Sequence, residues 1–288
     1  TIYLAACTKG ATAETSFRDQ PFSSRKAKQR AYSLKPSYMT YILNNYVGKR
    51  DVNERIIKSD IDIENKTFEQ YLYDVINPYK GKTQNELVNT FGLKTSKRTN
   101  SSIISAIFKL EKDISQTQEF QKANIKVKTV RLEKNGKIKE HMSFKSFDLV
   151  NQEWEESEFY KDIAQTKFLF VIFQKIDELD GNSYLKDIKL WQMPEDDVIV
   201  AQKCWEETKK IIKKGIRFEL TPKGVINNLP NRYENDIAHV RPHASKAAYL
   251  INGKKIGDLK NANMLPNGDW MTKQCFWLNK DYILSVID

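Results

Sequence analysis

The sequence predicts an α/β fold, with helical segments early and late in the chain and strands between and after them. Three observations predict it. Apolar residues recur at helical spacing in several segments between residues 36 and 110, and again from Glu195 to Lys214. From about residue 124 the pattern changes to that of strands, and Phe168–Phe173 is an unbroken apolar run (FLFVIF) suited to a buried strand. Turn signals at Asn135-Gly136 and Asp180-Gly181 separate the strand-like segments.

Taken in order, residues 1–50 are basic and rich in Ser and aromatics. The run Arg25-Lys26-Ala27-Lys28-Gln29-Arg30 suits either a phosphate grip or a solvated helix face. After Pro36, the residues Tyr38, Met39, Tyr41, Ile42 and Leu43 share one face of a helix that closes near Gly48. Thr67 and Thr83 read as helix N-caps, and Thr83-Gln84-Asn85-Glu86 has capping-box form. Asn77-Pro78 ends the first of these helices and Gly92 the second. Ser101–Leu110 sets Ile103, Ile104, Ile107 and Leu110 on one side of a further helix. Ile125–Leu132, a type I′ turn at Asn135-Gly136, and Ile138–Phe144 read as a hairpin. Phe168–Gln174 reads as a central strand and Tyr184–Met193 as another. Pro194 precedes a helix that Gly215 closes. A short strand, Ile237–Val240, leads into Arg241-Pro242-His243, and Leu278–Val286 reads as a final helix.

The composition narrows the chemistry. A formal net charge of +10 and a pI near 9.2 favour polyanion partners, nucleic acid above all. No apolar run approaches the roughly 20 residues of a membrane span. Cys7, Cys204 and Cys275 are odd in number and far apart, which argues against a disulfide framework or a zinc knuckle and fits a reducing cytoplasm. The chain opens without Met, as a fragment of a longer protein would.

The segment from Glu119 to Thr129 has the spacing of a magnesium nuclease centre without its chemistry. Such centres place an acid shortly before a strand reading apolar-Glu-apolar-Lys; the acids hold the metal and the Lys meets the phosphate. Here Glu119 supplies the first acid and Lys128 the Lys, but position 126 is Lys. An ammonium has no lone pair for a metal. At ~4 Å and an effective dielectric of ~20 it repels a divalent cation by about 8 kcal/mol. The same alternation also describes any half-exposed strand.

Several motifs then line up in order over roughly residues 100–288. Ile104-Ser105, Glu119-Phe120, Ile125-Lys126-Val127-Lys128-Thr129, Trp205-Glu206-Glu207, Val240-Arg241-Pro242-His243-Ala244 and Phe276-Trp277-Leu278-Asn279-Lys280-Asp281-Tyr282 resemble the MutH mismatch-repair endonucleases and their Sau-three-AI type restriction relatives. Cys7-Thr8-Lys9-Gly10 and Lys26-Ala27-Lys28-Gln29-Arg30-Ala31 look closer still to the second, catalytically inactive half of the Sau-three-AI type. The resemblance implies a restriction-endonuclease-like fold, a mixed sheet flanked by helices, with two lobes around a DNA-binding cleft. Residues 1–100 would form a basic arm and mainly helical lobe, and residues 101–288 the MutH-like core of one DNA-binding domain. It further implies that Ser105 and Lys126 replace catalytic acids, that Glu119 and Lys128 remain from the centre, and that this domain holds no metal. Magnesium is expected only in the separate N-terminal catalytic domain of the full enzyme.

The resemblance also assigns a reading surface for double-stranded DNA containing GATC. Arg241 and His243 flank Pro242, which fixes one backbone angle. A rigid Arg suits guanine O6 and N7 in the major groove; the alternative is an ion pair, for instance with Asp236. Trp277 falls where the family places a base-contacting Tyr, although a Trp is as readily core. Lys246, Lys273, Lys280, Lys126 and Lys128 are candidate phosphate contacts. His239 and His243 have the four-residue spacing of a metal pair, but only on a helix, which Pro242 opposes. The expected function is GATC binding by the allosteric effector domain of a type II restriction endonuclease. The rivals are an active magnesium endonuclease using Glu119, Glu133 or another acid, and a non-specific nucleic-acid-binding scaffold.

Overall fold

The computed structural model describes residues 4–9, 13–47, 54–59, 63–96, 99–147, 152–177, 183–222, 224–242, 244 and 246–288. His243, Gly48 and the Asp180-Gly181 turn lie outside these residues. The chain divides into two units, Thr1–Val130 with Gln165–Trp191, and Arg131–Ala164 with Gln192–Asp288.

The first unit opens on strands. Leu4–Thr8 pairs antiparallel with Arg30–Leu34, and Phe17–Gln20 pairs with Ser23–Lys28. The basic run at 25–30 therefore belongs to two strands, which corrects the helix-face alternative. With no apolar stripe of its own, it is held by backbone bonds. The expected helix follows at Pro36–Ile42 and continues as a wider π-type turn, Leu43–Val47.

Cap chemistry fixes the next helices. Thr67 and Gln70 form a reciprocal capping box at Phe68–Ile76, and Thr83 and Glu86 form one at Gln84–Phe91. Each box satisfies two orphan amides of its first turn. Gly92 closes the second helix at φ 61°, a left-handed conformation that glycine adopts without strain. The helices bury Leu72, Ile76, Leu87, Ile103, Ile104 and Phe120 against the strands. Those strands form one sheet in the order Ile125–Leu132, Lys167–Lys175, Ser183–Trp191. The middle strand is buried from Phe168 to Phe173, which explains its unbroken apolar run.

In the second unit the helix Glu195–Lys214 sets Val198, Ala201, Trp205, Thr208 and Ile212 in one buried stripe. Its first turn carries Glu195, Asp196 and Asp197 and its last Lys213 and Lys214, each sign complementing the helix dipole. Tyr282 donates a 2.7 Å hydrogen bond to Asp197 from the terminal helix Lys280–Ile287. A three-stranded sheet runs Ala238–Pro242, Gln274–Leu278, Met142–Ser146. A four-stranded sheet gathers 254–256, 249–251, 270–272 and 262–264. The strand Gln274–Leu278 takes residues that the sequence reading left outside strands, and the final helix begins only after it.

The expected hairpin is also corrected. A single bridge joins Leu132 to Ile138, and Met142–Ser146 pairs instead with Gln274–Leu278. Gly136 has φ 76°, while Asn135 is not among the positive-φ residues that a type I′ turn requires. The amide of Gly136 donates to Glu133 at 2.9 Å, which makes a type I turn followed by a left-handed glycine.

Candidate nucleic-acid interface

Within the first unit the four degenerate positions are each placed by local structure. Ser105 is buried on the helix Thr99–Ile107, and its Oγ accepts the Ile114 amide at 3.0 Å. Glu119 lies in the first turn of the helix Gln118–Ala123. Its two carboxylate oxygens accept the amides of Ile56 at 3.1 Å and Ile57 at 3.3 Å, and Arg55 lies 3.9 Å away. Asn124 then turns left-handed at φ 52° and delivers the chain into the strand. Its side chain donates to Gln165 and Thr166, which tethers the start of that strand.

Lys126 and Lys128 therefore occupy one face of Ile125–Leu132, and Ile125 and Val127 turn the other toward the core. The two lysines sit about 7 Å apart along the strand by strand geometry. A magnesium site does not fit this donor set. A hydroxyl is committed to an amide, a carboxylate is committed to two amides, and an ammonium replaces the remaining acid. Among the described residues no three His, Cys, Asp or Glu side chains are placed to hold a metal ion.

The second unit gathers a different group on the three-stranded sheet. Cross-strand register sets His239 opposite Trp277 and Arg241 opposite Cys275, so His239, Arg241 and Trp277 share one face. The exposed guanidinium of Arg241 sits 4.2 Å from the centre of the Trp277 ring. The Trp277 indole N–H donates to the Arg241 carbonyl at 3.2 Å. His239 stacks beside Trp277 at 6.5 Å between ring centres, and His141 meets His239 edge-on at 4.6 Å. Among the described residues no ion pair joins Arg241 to Asp236.

Both imidazoles are held neutral. Burial pushes the His239 pKa down to about 4, against a partly opposing hydrogen bond from its Nδ1 to Asn279 at 2.6 Å. The His141 pKa is lowered by burial first and then by Arg241, Lys280 and Arg232. His141 Nδ1 accepts the Lys280 amide at 3.0 Å, so it caps the first residue of the terminal helix, where the Asn279 side chain makes no cap bond. Asn279 is occupied elsewhere: its Oδ1 faces His239 and its Nδ2 donates to the Asn235 carbonyl at 2.7 Å. One hydrogen-bonded group thus fixes the strand Ala238–Pro242 and the start of the final helix together.

The structure brings Arg241 and Trp277 into contact, and Arg241 and Lys280 both act on the charge of His141. Pro242 pairs with Gln274 on the edge of the sheet, where a strand tolerates a residue with no amide donor. Lys273 immediately precedes Gln274, and its backbone amide bonds Asn261. Lys246 is exposed ahead of the strand Tyr249–Ile251. His239, the other half of the supposed metal pair, is occupied by Asn279. The sequence reading missed His141, Asn279 and Arg232, which carry no local pattern and become visible only through pairing across the sheet.

A family model described as "DNA mismatch repair enzyme MutH" matches residues 108–203. The fold and these comparisons together define a restriction-endonuclease-like α/β protein related to enzymes that act on DNA. The chain belongs to the MutH/Sau3AI-type family: it is 37% identical, over 319 aligned positions, to the type II restriction enzyme Sau3AI of Staphylococcus aureus. The match covers 100% of this chain and 65% of that enzyme's length. No helix among the described residues is long and apolar enough to cross a membrane.

Proposed function

We propose that the chain binds double-stranded DNA at GATC, as the non-catalytic effector domain of a type II restriction endonuclease. One observation carries the reading: an exposed arginine is held over a tryptophan on a rigid sheet edge, with two further cations, Lys280 and Arg232, acting on the same His141. A guanidinium held in this way presents its fork with less entropy to lose when it meets guanine O6 and N7. Lys280, Lys273, Lys246 and Arg232 supply charge for phosphates, which adds affinity without sequence information.

Lys126 and Lys128 support the non-catalytic part of the reading. Two ammonium groups on one strand face attract a phosphate and repel the divalent ion that cleavage requires. Residues 1–288 then act as one DNA-binding domain in the cytoplasm, and magnesium serves only a separate N-terminal catalytic domain of the same protein. Binding here promotes cleavage there if DNA favours one arrangement of the two domains over another.

Competition binding with GATC, adenine-methylated GATC and scrambled duplexes at fixed salt tests the specificity. Preference for GATC by about a thousandfold is expected of a specific site. Equal binding to GATC and scrambled duplexes overturns it. Incubating this chain alone with GATC plasmid and magnesium tests inactivity, and nicking or cleavage would refute that part.

A further inference from the structure

The antiparallel ribbon Phe17–Gln20 and Ser23–Lys28 plays no part in the site described above. Its register pairs Phe17 with Lys28, Arg18 with Ala27 and Gln20 with Ser23. The two residues between the strands are Pro21 and Phe22. The Phe22 side chain is 99% exposed at this tip, which leaves a large apolar ring wholly in water. Isolated exposed apolar residues are ordinary, but this one is placed by a tight turn at the end of a basic arm.

Between positions 17 and 30 the sequence carries Arg18, Arg25, Lys26, Lys28 and Arg30 against the single acid Asp19, a net of five minus one, or +4. Lys26 and Asp19 are 3.4 Å apart and largely exposed, a surface pair that a phosphate can replace with little loss. The adjoining strand continues the surface: Arg30, Tyr32 and Leu34 alternate outward, and Tyr32 is 84% exposed. A two-stranded ribbon ending in an apolar Pro-Phe tip and flanked by cations has the form of a DNA-bending arm. Such arms track phosphates with their strands and insert an apolar wedge between base pairs from the minor groove.

We propose that residues 17–28 are a second DNA contact, in which Phe22 inserts into a base step of the minor groove while Arg18, Lys26 and Arg30 hold the flanking phosphates. The proposal rests on the reading of this chain as a DNA-binding domain, but not on recognition of GATC. Insertion unstacks one step and kinks the duplex, so flexible pyrimidine–purine steps such as TA and CA are the favoured targets.

The test uses the 288-residue chain with duplexes, GATC-containing and scrambled, that carry 2-aminopurine at successive positions and a donor–acceptor dye pair at their ends. Wild type should raise 2-aminopurine emission at one step and shorten the end-to-end distance. Phe22→Ala should abolish both signals and weaken binding about tenfold on either duplex, leaving their affinity ratio unchanged. Phe22→Trp should retain the kink. Lys26→Ala with Arg30→Ala should lower the slope of log affinity against log salt by about 2 while retaining the unstacking signal. A Phe22→Ala chain that bends, unstacks and binds either duplex as wild type does overturns the proposal. Wild type that binds both duplexes equally but loses its kink with Phe22→Ala would sink the GATC reading and uphold the wedge.

Discussion

Arg241 and Trp277 are joined twice: the guanidinium lies 4.2 Å from the ring centre, and the indole N–H donates to the arginine's own carbonyl at 3.2 Å. The tryptophan thereby holds both ends of the residue proposed above to read bases. Trp277→Phe should keep part of the cation–π contact and lose the hydrogen bond, whereas Trp277→Ala should lose both. GATC discrimination should fall in that order, with Arg241→Ala lowest. Removing the arginine should lessen discrimination by about 1–3 kcal/mol, measured as the ratio of dissociation constants for GATC and a site altered at one guanine.

Lys126→Ala should weaken binding to GATC and scrambled duplexes alike. It should reduce the salt slope by about 0.9, the share of one phosphate contact. Unchanged affinity and slope would remove Lys126 from the interface. Lys126→Glu should weaken binding further and should not yield magnesium-dependent nicking, because Ser105 and Glu119 stay committed to backbone amides.

Glu119 now reads as a clamp on the segment at residues 56–57. Glu119→Ala leaves two amides without their acceptor and should destabilise the fold by about 1–3 kcal/mol, while Glu119→Gln, which keeps one carbonyl oxygen, should lose less. Urea unfolding midpoints check the order, and GATC preference should be the same in both variants.

The histidine pair makes stability pH-dependent. Both imidazoles have folded-state pKa values below the usual 6.5, so the unfolded chain binds more protons in the interval. The contribution of His239 is fully present above about pH 6.5 and is lost as pH falls toward about 4, and that of His141 is likewise lost as pH falls below 6.5. For buried His239 the loss is up to about 3 kcal/mol. Urea midpoints measured from pH 7.5 down to pH 4.5 should fall, and His239→Gln should flatten that slope.

Gly257 turns at φ 70°, and a Cβ there would lie 2.0 Å from the Ala247 carbonyl oxygen. Gly257→Ala should therefore destabilise by more than the roughly 1–3 kcal/mol that the left-handed backbone alone imposes. A thermal shift indistinguishable from wild type would contradict this geometry.

What the sequence disclosed was mostly local. Thr83 and Glu86 sit three residues apart, and the box they form needs nothing else. The FLFVIF run announced a strand buried on both faces because burial there is continuous. Partners far apart in sequence stayed hidden. Met142–Ser146 lacks any mark that it joins Gln274–Leu278 rather than its neighbouring strand, and Glu119 gives no sign that it serves the amides of Ile56 and Ile57. Arg241 and Trp277 were legible as candidates, but the bonds between them, and the role of His141, depend on cross-strand register.

The chain passes between its two units at three points, after Val130, Ala164 and Trp191. Neither unit is a contiguous stretch that could be excised whole. Residues 131–164 are a segment inserted between two stretches of the first unit, and residues 165–191 a segment inserted between two stretches of the second. When either unit folds, it pays in advance the closure entropy of the other's inserted segment. The order of the chain by itself therefore links the folding of the two units, and a protease cut anywhere from 131 to 191 should loosen both at once.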